Sequence, residues 1–286
     1  MADLSYLDGV ILGVVEGLTE YLPVSSTGHL TITEQLLGLK VDDAAVTAYT
    51  AIIQLGAIAA TLLYFFRDIV RFAAAWFRGL ANPQAREGSD YGLAWAVVIG
   101  SIPVGIVGFL GRHVIEGALR SLWVVAAALI LWSAVLVAAE RIHTRIESRG
   151  VVRGEHEVRP VDGFVIGLVQ CFSLIPGVSR SGATISAGLV RGLDRVTATR
   201  LSFFMAIPAL TAAGLFQAAQ ERHGLAALGV GPMVVGLVVA FVVAYASIAW
   251  LLRFVATNSL LAFVWYRVIL GLVLVAALAA GIVSAT

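Results

Sequence analysis

Charge is what this sequence has least of. Asp, Glu, Lys and Arg make up only 13% of its 286 residues, about half the share of a soluble domain. The apolar residues, 59% of the chain, are too many for a soluble core to hide. Several windows exceed ~18 nearly uncharged residues, the length that crosses a bilayer. There is one cysteine, Cys171, which excludes an internal disulfide and leaves the redox compartment undetermined. It lies in an apolar helix, where core packing is the expectation. The chain opens with no basic n-region and no small-residue cleavage site, so no removable signal peptide is expected. P-loop, Rossmann glycine motif and Cys/His zinc spacing are all missing. A net charge of +1 carries no signature of nucleic-acid binding, and no such partner is expected. These absences leave an all-α polytopic membrane protein, with residues 1–286 as a single integral membrane domain.

One stretch is present twice. Residues 8–28 read DGVILGVVEGLTEYLPVSSTG and residues 162–182 read DGFVIGLVQCFSLIPGVSRSG. At an offset of 154, Asp8 falls on Asp162, Gly13 on Gly167, Glu16 on Gln170, Ser25 on Ser179, Ser26 on Arg180, Thr27 on Ser181 and Gly28 on Gly182. Only Pro23 and Pro176 slip, by one position. Each copy is an apolar run, a proline break and a Ser/Thr/Gly cluster. Residues 4–20 and 26–37 are each too short to span, and no polar loop separates them. A re-entrant helix pair fits better.

Spans are expected at 44–66, 91–110 (kinked at Pro103) and 122–139, then at 197–219, 231–252 and 260–283. The polar stretch 68–90 is expected on the membrane surface, and 140–160 as the connector between halves. Repeat one is then 1–150 and repeat two 151–286, each a re-entrant pair plus three transmembrane helices. Three crossings separate the copies, so the repeat has inverted topology. The segments 67–90, 140–160 and 253–259 hold four, five and one Arg, against two and one in 111–120 and 220–230. The first set is expected to be cytoplasmic. The two breaks then enter from opposite sides and meet near mid-membrane.

The breaks hold the polar chemistry. Glu16 and Glu20 are four apart and share a helix face. Buried carboxylates call for a divalent cation, a shared proton or an arginine. The plainer reading puts Glu20 at the water interface, but Glu16 is too deep in the apolar run to share it. Ser25, Ser26, Thr27 and Gly28 are ordinary capping residues. His29 and the two carboxylates argue for more. A helix N-terminus offers free N–H groups to an anion, a serine or histidine there can attack phosphorus, and the histidine can move a proton. Arg180, among Ser179, Ser181 and Thr184, suits phosphate oxygens bidentately. Its plainer reading is a structural partner of Glu16 or Glu20. Arg267 is a second buried cation, reaching the same site or snorkelling. Gln54 is a weaker candidate, often only an interhelical hydrogen bonder. Asp8 and Asp162 are expected as helix caps. His113, His143, His156 and His223 are expected to be solvated in polar connections.

EGLTEYLPVSSTGH at 16–29 and PGVSRSGAT at 176–184, with IIQLGAI at 52–58 and Tyr266-Arg267, resemble the signature motifs of the undecaprenyl-diphosphate phosphatase family of the bacitracin-resistance type. The likeness runs over essentially the whole chain. It implies hydrolysis of undecaprenyl diphosphate to undecaprenyl phosphate and inorganic phosphate. That reaction recycles the lipid carrier of envelope polymers and counters bacitracin. It also implies a bacterial inner-membrane enzyme that needs a divalent cation, Mg²⁺ or Ca²⁺, held by Glu16 and Glu20. The recycling role favours a pocket on the outer, periplasmic side. The catalytic set implied is Ser26, His29, Glu20, Glu16 and Arg180. Ser179, Thr184 and Arg267 are the binding residues, and Ser25, Thr27, Ser181 and Gln54 complete the expected phosphate contacts. A polyprenyl diphosphate and membrane lipid are the expected partners, with a homodimer left open. Ser26 is the expected nucleophile with His29 as its base or acid. Water or His29 as the attacking group is the competing route. A lipid flippase or transporter is the alternative that an inverted repeat alone would suggest.

Overall fold

Two sets of short helices, one near each repeat's start, are packed among six long ones. The computed structural model describes residues 4–39, 43–117, 119, 121–220 and 230–285. Lys40, Asp42, Arg120 and His223 lie outside the described residues, as does most of the 220–230 connection. Eleven α-helices occur among those described: α1 (Tyr6–Thr19), α2 (Ser26–Leu36), α3 (Ala44–Tyr64), α4 (Phe66–Ala81), α5 (Ser89–Glu116), α6 (Leu122–Glu147), α7 (Pro160–Gln170), α8 (Arg180–Val190), α9 (Arg195–Gln220), α10 (Val230–Thr257) and α11 (Leu261–Ala279). Six stretches are long and apolar enough to cross a membrane: Val46–Tyr64, Ser89–Ile115, Leu122–Glu147, Arg195–Phe216, Val230–Thr257 and Leu261–Ala279. Their outer faces carry exposed Ile102, Ile106, Phe109, Leu131, Leu272 and Val273, a surface that suits lipid rather than water.

The short helices start where the sequence says. Asp8 closes a capping box with Ser5, accepting from the Ser5 N–H at 2.9 Å. Asp162 accepts from the Arg159 N–H at 3.0 Å. Both capping expectations hold. Small residues decide how deep these helices sit. Gly13 and Gly17 lie on one face of α1, against α10; a Cβ added there would come within 2.6 Å of the Gly236 carbonyl and 2.7 Å of the Ala240 carbonyl. In α7, Gly163 and Gly167 press equally closely on Ala96 and Gly100 of α5. Such close approach lets dispersion and weak polar contacts hold helices together where lipid offers no hydrophobic drive.

Several expectations are corrected. The third helix does not stop at Ala139: α6 runs on to Glu147, because ERIHTRIE contains no breaker and the first one is Gly150. The connector is correspondingly shorter. Arg112 and Glu116 belong to α5 rather than to a hinge, and α5 continues through Pro103. His143 is buried on α6 rather than solvated. His113 and His156 are exposed, as expected. Cys171 is only half-buried, its thiol donating to the Gly167 carbonyl at 3.5 Å where α7 ends.

At the arginine-rich end, ion pairs tie the connector to the helices. Arg200 of α9 reaches Glu155 at 2.5 Å and Asp68 of α4 at 3.0 Å. Arg195 pairs with buried Glu140 at 2.8 Å. Asp162, with no exposed side-chain surface, accepts from Arg153 at 2.8 and 3.0 Å and from Arg191 at 2.8 Å. Burial alone would raise its pKa. Hydrogen bonds from Arg153, the Arg159 N–H and Arg191 outweigh it and hold the carboxyl below the usual aspartate value. The stabilisation is therefore complete above about pH 3.9 and is lost only as pH falls through the depressed folded value. Asp162→Asn should destabilise the detergent-solubilised protein by about 3 kcal/mol. The gap in melting temperature should stay constant from pH 8 to 5. A gap that closes over that range would show that Asp162 is not the charge holding this junction.

Candidate active site

Both breaks end in the same unusual way. Ser25 and Ser179 each precede a helix with φ 77°, a conformation that costs a non-glycine residue on the order of 1–3 kcal/mol. Each offers its hydroxyl to the N–H three residues on: Gly28 to Ser25 at 3.4 Å, Gly182 to Ser179 at 3.1 Å. The strain is held by contacts between the breaks. The Gly177 N–H donates to Ser25 Oγ at 3.2 Å. Ser181 Oγ donates to the Leu22 carbonyl at 2.8 Å. That uses the only Ser181 hydroxyl proton, so Ser179 is the donor in the 3.1 Å contact between the two hydroxyls.

Arg267 lies between the two breaks, with none of its surface exposed. Its guanidinium donates to the carbonyls of Pro23 at 3.0 Å, Gly177 at 2.9 Å and Ala128 at 3.4 Å, and to Ser133 Oγ at 3.4 Å. The Pro23 and Gly177 carbonyls are ones that the two breaks free from helical bonding, while Ala128 and Ser133 lie within α6. Arg267 thus clamps break to break, and snorkelling is ruled out by its burial.

Glu20 is where the halves meet chemically. Ser26 Oγ donates to its Oε2 at 2.7 Å, and Arg180 Nη2 lies 3.2 Å from its Oε1. Arg180 also reaches the Ser202 carbonyl at 3.0 Å and Ser202 Oγ at 3.3 Å, and sits over the Tyr21 ring at 5.8 Å. Thr184 donates to Ser202 at 2.6 Å, fixing that acceptor. Among the described residues, Arg180 Nε has no hydrogen-bond partner, and neither oxygen of Glu16 has one. Glu16 is 1% exposed and feels the charges of Glu20 and Arg180.

His29 is not paired with Ser26. Its Nδ1 lies 2.7 Å from the Ser25 carbonyl, which can only accept, so Nδ1 carries the proton. Its Nε2 lies 2.6 Å from the Tyr266 hydroxyl, and the two rings stack at 5.6 Å. A neutral ring then accepts from Tyr266. The structure therefore gathers Glu16, Glu20, Ser25, Ser26, His29, Ser179, Arg180, Ser181, Thr184 and Arg267 around the joined breaks. Thr27 is exposed, and Gln54 is half-buried on α3, joined to these residues by no hydrogen bond among those described.

A family model described as bacitracin resistance protein BacA matches residues 9–273. The chain belongs to that family. It is 51% identical over 290 residues to the undecaprenyl-diphosphatase of Cutibacterium acnes, covering 99% of this chain and all of the relative. It is 54% identical over 279 residues to that of Acidothermus cellulolyticus, covering 98% and 99%. Family and apolar helices together make it a multi-pass bacterial membrane protein.

Four residues at this BacA-family site escaped the reading of the sequence: Tyr266, Ser202, Tyr21 and Ser133. Tyr266 and Tyr21 sit inside the quoted motifs, so proximity was the available signal. Ser202 and Ser133 are lone serines in apolar spans and carry no local signal. A divalent cation fits the donor set. Glu16 is a buried carboxylate without a donor, one turn from Glu20, and such a group calls for positive charge. Among the described residues no cluster of three His, Cys, Asp or Glu exists, so the protein supplies at most two carboxylates. A hard cation that takes its other ligands from phosphate and water suits that supply. Arg267→Lys should lower stability by about 2 kcal/mol, because an ammonium cannot fork across three carbonyls. An unchanged melting temperature would mean that other groups satisfy those oxygens.

Proposed function

We propose that this chain hydrolyses the terminal phosphoanhydride of undecaprenyl diphosphate, releasing inorganic phosphate and undecaprenyl phosphate. This recycles the lipid carrier for peptidoglycan and other envelope polymers and confers bacitracin resistance. The activity rests on full-length relatives near 50% identity that bear the name undecaprenyl-diphosphatase. Nothing specific supports the flippase reading. The observation that carries the chemistry is the convergence of Ser26 and Arg180, equivalent positions of the two repeats, on one carboxylate of Glu20.

In the mechanism we favour, Ser26 Oγ attacks the terminal phosphorus and gives its proton to Glu20, the acceptor it already faces. The bond from phosphorus to the bridging oxygen breaks, and undecaprenyl phosphate leaves with that electron pair. Water then cleaves the phosphoserine. Arg180, with its free Nε, turns from Glu20 to the phosphate oxygens as charge develops on them. His29, oriented by Ser25 and Tyr266, suits proton transfer in the hydrolytic step. Mg²⁺ or Ca²⁺ held by Glu16 and Glu20 would neutralise the diphosphate and polarise its oxygens. Ser25, Ser179, Ser181 and Thr184 set the position of these groups, and Arg267 holds the two breaks in register. Water or His29 as nucleophile remains the competing route.

Turnover of terminally labelled undecaprenyl diphosphate should fall about a hundredfold or more in Arg180→Ala and about a thousandfold in Ser26→Ala. Acid-quenched wild-type enzyme should carry label on Ser26. Substantial turnover in Ser26→Ala, together with an unlabelled wild-type protein, would sink the serine route and leave the phosphatase assignment standing.

The fold reading we favour is an inverted-topology repeat within one domain in the inner membrane, with α1–α2 and α7–α8 as re-entrant pairs. The equal caps at Ser25 and Ser179 support it. So does the packing: α1 lies on α10 and α7 on α5, while α3 packs on α9 and α6 on α11. The arginine-rich loops belong in the cytoplasm on this reading, with the site served from the outer side. A Ser148→Cys, Cys171→Ala protein should react with an impermeant maleimide in inverted vesicles only. Reaction in right-side-out vesicles would reverse the orientation.

A further inference from the structure

An open, largely apolar cavity with charged groups at its rim lies away from the joined breaks, where the end of α6 meets the start of α11. Its volume is about 590 Å³. Val137, Leu261, Val264 and Trp265 line its apolar part, and Glu140, Arg141, Thr144, Arg145, Arg195 and Ser259 its polar part. The charges do not cancel. Glu140 is taken up by Arg195 at 2.8 Å and by the Leu260 N–H at 2.7 Å, and Arg195 also meets Glu147 at 3.7 Å. The side chains of Arg141 and Arg145, four apart on one face of α6, make no hydrogen bond or ion pair among the described residues. The N-cap of α11, Leu260, provides no side-chain acceptor for the first N–H groups of that helix. Two arginine side chains without a partner among the described residues therefore face one cavity whose carboxylate is already engaged by Arg195 and the helix start.

The depth of these groups selects the ligand. Ser133 marks the level of the joined breaks, since it touches Arg267. At ~1.5 Å per residue, Arg141 lies ~12 Å and Arg145 ~18 Å further along α6. Half a hydrocarbon core is ~15 Å, so both guanidiniums reach headgroup level when the breaks sit at mid-membrane. Below them the wall is apolar, and Trp265 is 71% exposed, a flat surface for an acyl chain. A free anion would use the cations and leave the apolar wall unused. A neutral lipid would use the wall and leave the cations uncompensated.

We propose that this cavity between α6 and α11 binds the headgroup of an anionic glycerophospholipid, Arg141 and Arg145 holding its phosphate while an acyl chain lies along Val137, Val264 and Trp265. Basic pockets between membrane helices are recognised in this way by acidic lipids. The site shares α6 and α11 with Ser133 and Arg267, so an occupied cavity braces the same helix pair that carries the clamp.

The test is native mass spectrometry of the purified full-length protein, titrated with phosphatidylglycerol and with phosphatidylcholine of matched chains. One phosphatidylglycerol should be retained in preference. Arg141→Gln and Arg145→Gln should each weaken it about fivefold, and the double variant about thirtyfold. Arg141→Lys/Arg145→Lys should stay close to wild type. A monodisperse gel-filtration profile and a wild-type melting temperature in detergent report that each variant is folded. Equal retention of the two lipids, or undiminished phosphatidylglycerol binding by the folded double variant, would overturn the proposal. So would displacement of the lipid by millimolar inorganic phosphate, which would assign the cavity to a small free anion.

Discussion

Two interrupted helices brought together inside a membrane leave backbone carbonyls with no water to turn to, and Arg267 is the answer this fold has. An unsatisfied carbonyl in hydrocarbon costs several kcal/mol. One guanidinium, fully buried, takes Pro23 from the first break, Gly177 from the second and Ala128 from α6. The desolvation of the cation and the desolvation of the carbonyls offset each other. Neither break could stay open at this depth without the other, and neither could stay without α11. The small residues of α1 and α7 follow from the same demand, because the short helices must come near backbone contact with α10 and α5 to bring the breaks within reach of one side chain.

Given that junction, the division of labour between repeats becomes a matter of single positions. Ser26 and Arg180 occupy the same place, the first helical residue after a strained serine cap. One is a hydroxyl and the other a guanidinium, and both reach Glu20. The repeat thus delivers a nucleophile-type group and a cation to opposite oxygens of one carboxylate. Glu16 and Gln170 differ in the same way. Both are buried and both lack hydrogen-bond partners among the described residues, but only Glu16 brings an ionisable carboxyl, on the same helix face as Glu20. The two breaks end in the same serine cap, φ 77° at Ser25 and Ser179, but carry different side chains after it.

The sequence made the fold largely legible because the relevant signals are local. Apolar length marks the spans, and proline and Ser/Gly clusters mark the breaks. Asp8 and Asp162 read correctly as caps for the same reason. What failed was whatever depends on a neighbour distant in sequence. His143 looks solvated beside Arg141 and Arg145, yet α6 continues and turns it inward. His29 looks like the partner of Ser26, three residues away. The ring instead bonds the Ser25 carbonyl and Tyr266, 237 positions on, and Ser26 turns back to Glu20. Arg267 looked like a phosphate ligand, and its donors are engaged by carbonyls that no sequence pattern could connect to it.

The Glu20 pairings also bear on how the proposed mechanism would engage its substrate. Arg180 on Oε1 and Ser26 on Oε2 occupy both oxygens of the carboxylate. A diphosphate arriving at the helix N-termini competes for Arg180 with more charge and better bidentate geometry than one carboxylate offers. On the proposed mechanism, drawing the arginine away leaves Glu20 bonded to Ser26 alone. Thr184 and Ser202 keep part of Arg180's fork anchored during that exchange. The arginine can therefore swing between carboxylate and phosphate without leaving the site, and the short path of that swing is a consequence of the two breaks being clamped together.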